Sequence, residues 1–307
     1  MTGQRAREPM VHPTKLPPTI PVEKLHLRAA GDSAIGVDPA RAGWRYLSFR
    51  AVSLAGGETA VLDDPELETS IVTISGGGAD VSVDGGRRLS LPGRPSVFEG
   101  MPWSVYVPPG STTIITGRPL PGRRAVVAIA QAPRSGRGGV STSPIVVTPD
   151  DVEIEIRGKG NATRQVNNLV MPDFPADRLL VCEVFTPAGN WSGWPPHRHD
   201  FDDMPREAVL EETYFYQVSR PEGWAIQRVY ERDGSLDRVM IVRHGDLVVV
   251  DRGYHPFAST QGYDAYYLNA LAGDRRTMAN TDDPDLAWVR TLWPTTEADP
   301  RLPLVRP

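Results

Sequence analysis

Of the chain's six histidines, two stand one residue apart, His197 and His199. In an extended strand, residues i and i+2 project from the same face, so an H-x-H pair can turn both imidazoles toward one ion. Further on, Glu211 and Glu212 open a strand-like run, LEETYFYQV, and His255 comes just after a glycine in DRGYHPF. Two histidines, a glutamate and a distant third histidine form a ligand set suited to Zn²⁺, Mn²⁺ or Fe²⁺ with coordination positions left open.

Such a set needs strands to hold it, and the sequence supplies them. From Trp44 to about Ala132 the runs YLSFRAVSL, SIVTISG, ADVSVDG, RRLSL, SVFEG, SVYVPPG and TTIITG follow one another, separated by Gly, Pro or Asp. From Arg178 to about Gly273 a second series appears: RLLVCEVFTP, LEETYFYQV, WAIQRVYER, RVMIVRHG, DLVVVDRG and AYYLNALAG. Short β-branched and aromatic runs with turn residues between them predict an all-β sandwich or barrel with little helix. Asp84-Gly85-Gly86 reads as a hairpin corner.

The expected organisation is an N-terminal extension over 1–25, a first β-domain over 26–132, a connector over 133–177 and a second β-domain over 178–307 with a closing tail. SVFEGMPWSVYVPPG in the first series and LVVVDRGYHPFASTQG in the second are loosely alike, as in a repeat. No histidine falls between Trp44 and Ala132, so the metal site belongs to the second domain alone.

Composition narrows the class. A chain of 307 residues with net charge −5 lacks a nucleic-acid footprint. No apolar stretch approaches the ~20 residues of a membrane span, and MTGQRAREPMVHPTK lacks a signal-peptide core. A cytoplasmic protein is expected, acting on a small molecule, without nucleic acid or membrane; exposed sheet edges are compatible with a homo-oligomer. The lone cysteine, Cys182 in LLVCEVF, reads as a core residue.

The H-x-H, the strand-opening Glu and G-D-x-x-x-x-D-x-G-x-H are similar to the paired motifs of the cupin superfamily. The fit is imperfect: twelve residues, DFDDMPREAVLE, separate His199 from Glu212, and Asp251 stands where the cupin pattern has proline. GNWSGWPPHRHD, LEETYFYQ, QRVY, RGYHP, YYLN and TDDP, with RGKGNATRQVNN earlier, resemble in order and spacing the 5-deoxy-glucuronate isomerases of myo-inositol breakdown. The resemblance covers about Leu25 to about Trp293 and implies a bicupin, two tandem cupin-type barrels. In the related 5-keto-4-deoxyuronate isomerases the gap between H-x-H and Glu is tighter.

Carried over motif by motif, the resemblance implies His197, His199, Glu212 and His255 as metal ligands. Alternation also favours Glu212 over Glu211, because Glu212 shares a face with Tyr214 and Tyr216 whereas Glu211 shares one with Phe215. The implied reaction is a metal-dependent aldose–ketose isomerisation of a sugar acid, with one divalent ion, Zn²⁺ or Mn²⁺ before Fe²⁺. A proton must move between neighbouring carbons, and Glu183, Tyr216 and Tyr254 are the candidate catalytic groups. Arg228, ahead of Arg164, is expected to hold the substrate carboxylate, and Tyr267 and Asn269 the hydroxyls. The acidic segment after His199 is expected to form a rim or lid beside the metal. The competing readings are a uronate isomerase of the ketouronate type, a cupin dioxygenase consuming oxygen, and a sugar-binding cupin without catalysis.

Overall fold

The computed structural model describes residues 25–30 and 34–307. The expected extension therefore lies outside the described residues except for Leu25, whose carbonyl accepts from the Val249 amide at 2.8 Å.

Four of the five sheets stack as two sandwiches. In the first, a six-stranded sheet faces a four-stranded one; in the second, a seven-stranded sheet faces another four-stranded one. The fifth sheet is a two-stranded patch formed by His197–Arg198 and Thr281–Asp282. All named strand pairs are antiparallel, from Val126 against Ser53 in the first half to Thr213 against Ala270 in the second. In Gly77–Val83 the apolar residues Ala79, Val81 and Val83 enter the aliphatic core from one face, while Asp80 on the other face is held by Arg88 and Arg118. The expected corner is a three-residue loop between Val83 and Arg87: Asp84 and Gly85 have φ of 51° and 67°, and the Gly86 amide bonds the Val83 carbonyl at 3.1 Å. Positive φ at these two residues matches the right-handed twist of the flanking strands.

The stretch expected as a connector carries strands of both sandwiches. Ile145–Val147 extends the six-stranded sheet beside Ser104–Val107, whereas Glu153–Arg157 and Arg164–Val170 are the outer strands of the seven-stranded sheet. His26–Leu27 also joins the seven-stranded sheet, against Leu247–Val250. The segment is polar because Glu153–Arg157 is an outer strand and because Gln165 and Asn167 are buried on hydrogen bonds, and that polarity imitated a linker. The tail runs back along the outer strand, where Gln165 bonds the backbone of Leu304 and Val305.

The two large sheets pack face to face, and Phe49, Ala128 and Tyr106 share one apolar core with Phe185, Phe215 and Leu268. Phe49 and Phe215 meet with ring centroids 5.8 Å apart. Inside the first sandwich a separate aliphatic core fills the space. Inside the second, the opposite face of the seven-stranded sheet lines a cavity of about 440 Å³.

Candidate active site

Period-two alternation brings the site together. Cross-strand partners share a face, so one row runs Tyr214, Asn269, Cys182 and the next runs Tyr216, Tyr267, Val184, Val166, Glu155. Glu212 stands on the same face as Tyr214, and the strand ending at Arg198 brings His197 against it. His255 sits in the turn after Gly253, whose φ of 87° lets the chain pass within a methyl's width of the Tyr230 carbonyl.

His199, Glu212 and His255 have donor atoms within 4.8 Å of one another, and all three are buried. His199 Nε2 lies 2.9 Å, and His255 Nε2 3.3 Å, from Glu212 Oε2. The opposite ring nitrogens are committed: His199 Nδ1 bonds the Leu210 carbonyl at 3.0 Å and His255 Nδ1 the Gly253 carbonyl at 2.7 Å. A carbonyl only accepts, so both Nδ1 atoms carry hydrogen, and in the neutral rings both Nε2 lone pairs then face a carboxylate oxygen. Two lone pairs aimed at one anionic oxygen fit a cation seated among them. The His255 Nε2 atom is buried without a hydrogen-bond partner, as expected of a ligand atom. His197 flanks the three, its ring centroid 4.7 Å from that of His255 and 6.4 Å from that of His199. Burial first, and then the neighbouring His255 and His199, push His197 well below the usual imidazole range, so it stands as a neutral ring with a lone pair to offer. Burial opposes ionisation of Glu212, but its contacts with His199 and His255 hold the carboxyl far below its ordinary value.

The segment after His199 lies behind the histidines and contributes nothing to the cavity wall. This overturns the expected rim or lid. Its charges are turned onto the backbone: Asp200 accepts from the Gly253 amide at 2.9 and 3.1 Å, and Glu207 from the Asp200 and Phe201 amides. Asp203 pairs with Arg206 at 2.6 Å. The segment thus orients two of the histidines: Leu210 accepts from the ring of His199, and Asp200 fixes the glycine whose carbonyl holds His255.

Of the residues nominated from sequence, His197, Glu212, Arg164, Tyr267 and Asn269 line the cavity. Glu183 does not. It lies on the other face of its strand, fully buried against Arg94 of the first sandwich, with Tyr266 Oη at 2.8 Å and Asn167 Nδ2 at 3.2 Å. Tyr216 donates its hydroxyl to Gln227 at 2.7 Å, and Gln227 donates in turn to the His255 carbonyl at 2.8 Å, so Tyr216 braces the site from outside the cavity. Tyr254 packs at a tilt against Tyr230, with the Arg198 guanidinium over its ring. Arg228 points to the outer surface and forks onto Asp237 with two contacts of 2.9 Å. Asn269 lines the wall while donating to the Thr213 carbonyl at 3.2 Å. Glu211 faces away, as its alternation requires. Cys182 is a buried wall residue whose thiol burial pushes up to about 12, out of reach of nucleophilic work at neutral pH.

Comparison with known proteins follows the same lines as the site. The KduI/IolB family model matches residues 22–289. This chain belongs to the KduI/IolB family. A 5-deoxy-glucuronate isomerase of Geobacillus kaustophilus is 40% identical over 84% of this chain and 90% of its own length. One from Halalkalibacterium halodurans is 39% identical over 80% and 88%. The crystal structure of an IolB-like protein from Salmonella typhimurium superposes with a TM-score of 0.80 at 36% identity, covering 87% of this chain and 99% of that one. An oxalate decarboxylase of Lactobacillus farciminis shares the fold, with a TM-score of 0.57 at 12% identity. The all-β bicupin architecture expected from the sequence is thus the observed one.

The cavity of this family member also holds residues that sequence reading passed over. Arg157 and Arg290 line it, with Glu155, Trp194, Asn280 and Trp293. Arg157 is the cross-strand partner of Arg164. The two arginines flank GKGNAT, and closing that hairpin in the sequence would have paired them. Among the described residues, no helix is long and apolar enough to cross a membrane.

Proposed function

We propose that this protein converts 5-deoxy-D-glucuronate to 5-dehydro-2-deoxy-D-gluconate, an aldose–ketose isomerisation in myo-inositol catabolism, with a divalent ion, Zn²⁺ or Mn²⁺, held by His197, His199, Glu212 and His255. The observation that carries the reading is the pairing of three buried donors aimed at one point with a polar cavity of about 440 Å³ in a chain of this family. The ion, when bound, supplies Lewis-acid polarisation of the carbonyl and adjacent hydroxyl of the sugar.

The chain's own residues do the rest. Tyr214 and Tyr267 stand against the cavity, and burial raises both phenols above their ordinary range. They stay protonated at neutral pH, so they donate hydrogen bonds to developing oxygen charge and do not serve as bases. Tyr267 is held in place through Ser192 Oγ at 2.5 Å. Asn269 offers an amide to the sugar hydroxyls from the same wall. Trp194 and Trp293 add aromatic surface that excludes water around the substrate. In this reading the enzyme works in the cytoplasm on a soluble metabolite.

The test is direct. Purified protein of measured metal content is incubated with 5-deoxy-glucuronate and followed by NMR, with an oxygen electrode in parallel. The aldehyde signal should give way to ketose signals without oxygen uptake. Chelation should abolish turnover, and Zn²⁺ or Mn²⁺ should restore it. An aldehyde signal that persists under every metal tried overturns the assignment.

A further inference from the structure

We propose that Arg164 is the carboxylate anchor of the cavity, so that the sugar acid lies across the seven-stranded sheet with its carboxylate at Arg164 and its aldehyde end at the histidine–glutamate cluster. This rests on the sugar-acid reading above and adds the orientation of the substrate and the residue that selects an acid over a neutral sugar.

Three guanidinium groups line the cavity, from Arg157, Arg164 and Arg290. Two are committed. Arg157 holds Glu155 at 2.6 Å, and Arg290 forks onto Asp282, one arm at 2.8 Å. Among the described residues, no carboxylate pairs with the Arg164 side chain. Like charges directly across an antiparallel pair repel, and Arg157 and Arg164 are direct partners. Burial, and then the charges of Arg157 and Arg290 against the opposing influence of Tyr267, lower the affinity of Arg164 for its proton. A half-buried cation among other cations, with no carboxylate paired to it, is what an incoming carboxylate would relieve. A planar guanidinium also matches a carboxylate bidentately.

Both ends open on one cavity. From the strand of Glu212 to the strand of Arg164 the sheet order passes through the strands of Asn269 and Cys182, three steps in all, or about 14 Å across the sheet at ~4.8 Å per step. Along the strands, Arg164 stands in the row of Thr186, Ala265 and Val218, six residues from Glu212. Arg164 and His197 nevertheless line the same cavity, so their side chains close that gap. Tyr267, Asn269 and Val184 form the wall between the two ends.

The experiment compares 5-deoxy-glucuronate with 5-deoxy-glucose, which keeps the aldehyde end and replaces the carboxylate by a hydroxymethyl group. Wild type and Arg164→Met are assayed for turnover and, by calorimetry, for binding of both sugars; metal content and melting temperature establish that the variant is folded and loaded. Arg164→Met should lose about a hundredfold in kcat/KM on the acid, the scale of a charge-assisted pair, and keep its rate on the neutral sugar. Added methylguanidinium should restore part of the loss. Equal loss on both sugars, or no loss on the acid, overturns the anchor. If wild type turns over neither sugar but binds the acid more tightly, and Arg164→Met removes that preference, the anchor stands and the isomerase reading falls. Absence of any acid preference in wild-type binding overturns the anchor whatever the turnover.

Discussion

Between the six-stranded sheet and its four-stranded partner, Ile71, Val81, Val105, Ile115, Val127 and Ile129 meet with no exposed surface at all. Between the seven-stranded sheet and its partner stand Glu212, Tyr214, Tyr267 and Asn269 around a cavity of about 440 Å³. The first interior closes because branched aliphatic side chains interdigitate at the density of a crystal. The second stays open because its polar groups are held by hydrogen bonds within the wall, and its guanidinium groups keep one another apart. The comparison is sharpest at two glutamates. Glu68 accepts from the amides of Asp177, Arg178 and Leu179, at 2.8, 2.5 and 2.7 Å. Glu211 accepts from those of Arg45, Tyr46 and Leu47, at 2.5, 2.9 and 2.8 Å. Each half thus grips three consecutive amides of the other. The next residue on the strand decides the difference: it is Thr69 in the first half and Glu212 in the second. The two barrels differ in what faces inward, while the glutamates facing the other way join them.

If the first barrel is a buttress, the largest effect on stability should come from the Arg94–Glu183 ion pair buried between the halves. Arg94 and Glu183 are almost without exposure, at 1% and 0% of their side chains. Removing one partner strands the other, which costs about 3–5 kcal/mol. Glu183→Leu should lower the unfolding free energy by that amount in denaturant titration and leave kcat/KM per folded molecule unchanged. The paired replacement with Arg94→Met should recover most of the stability. A folded Glu183→Leu enzyme with kcat reduced a hundredfold would instead put Glu183 into the chemistry and break the division of labour between the halves.

The hollow barrel also carries a brace that orients its histidines, and that difference can be sharpened at Asp200. Its carboxylate holds the Gly253 amide, and the Gly253 carbonyl orients His255. Outer partners of metal ligands typically account for 10–100-fold in affinity. Asp200→Ala should weaken Zn²⁺ binding by about that factor in competition with a chelating dye. Asp200→Asn, which can still accept from the amide, should lose less. Equal affinity in all three proteins would mean that the segment after His199 does nothing for the metal.

Much of this was legible in the sequence, for a physical reason. Period-two alternation separates Glu212 from Glu211 and aligns Tyr214, Tyr267 and Asn269, and the H-x-H pair announces itself. The orientation of Glu183 was not legible. Its strand, Leu180–Thr186, is buried on both faces, so no polar alternation marks the side turned to the cavity. Arg157 was hidden because cross-strand register is not a local property, and Arg290 because a tail segment reaches the cavity only through tertiary packing. The segment after His199 misled because its acidity suggested solvent, whereas Asp200 and Glu207 are buried against backbone amides.

Arg228 was nominated for its charge, yet its strand already contained the objection. In Ala225–Tyr230 the residues Ala225, Gln227 and Val229 are fully buried, so Arg228 must face outward. There it forks onto Asp237 and lies over the Tyr230 ring, 4.1 Å from its centroid. The filled barrel has the same device on its own outer wall, where Asp80 pairs with Arg88 and with Arg118. A feature shared by both outer walls serves the walls and not the cavity. Exposed ion pairs contribute little, about 0–1 kcal/mol. Arg228→Ala should therefore shift stability by no more than that and leave kcat and KM on the sugar acid where they were, in contrast to Arg164→Met. A selective rise in KM for the acid in Arg228→Ala would return the carboxylate to the outer wall and undo the orientation drawn from the cavity.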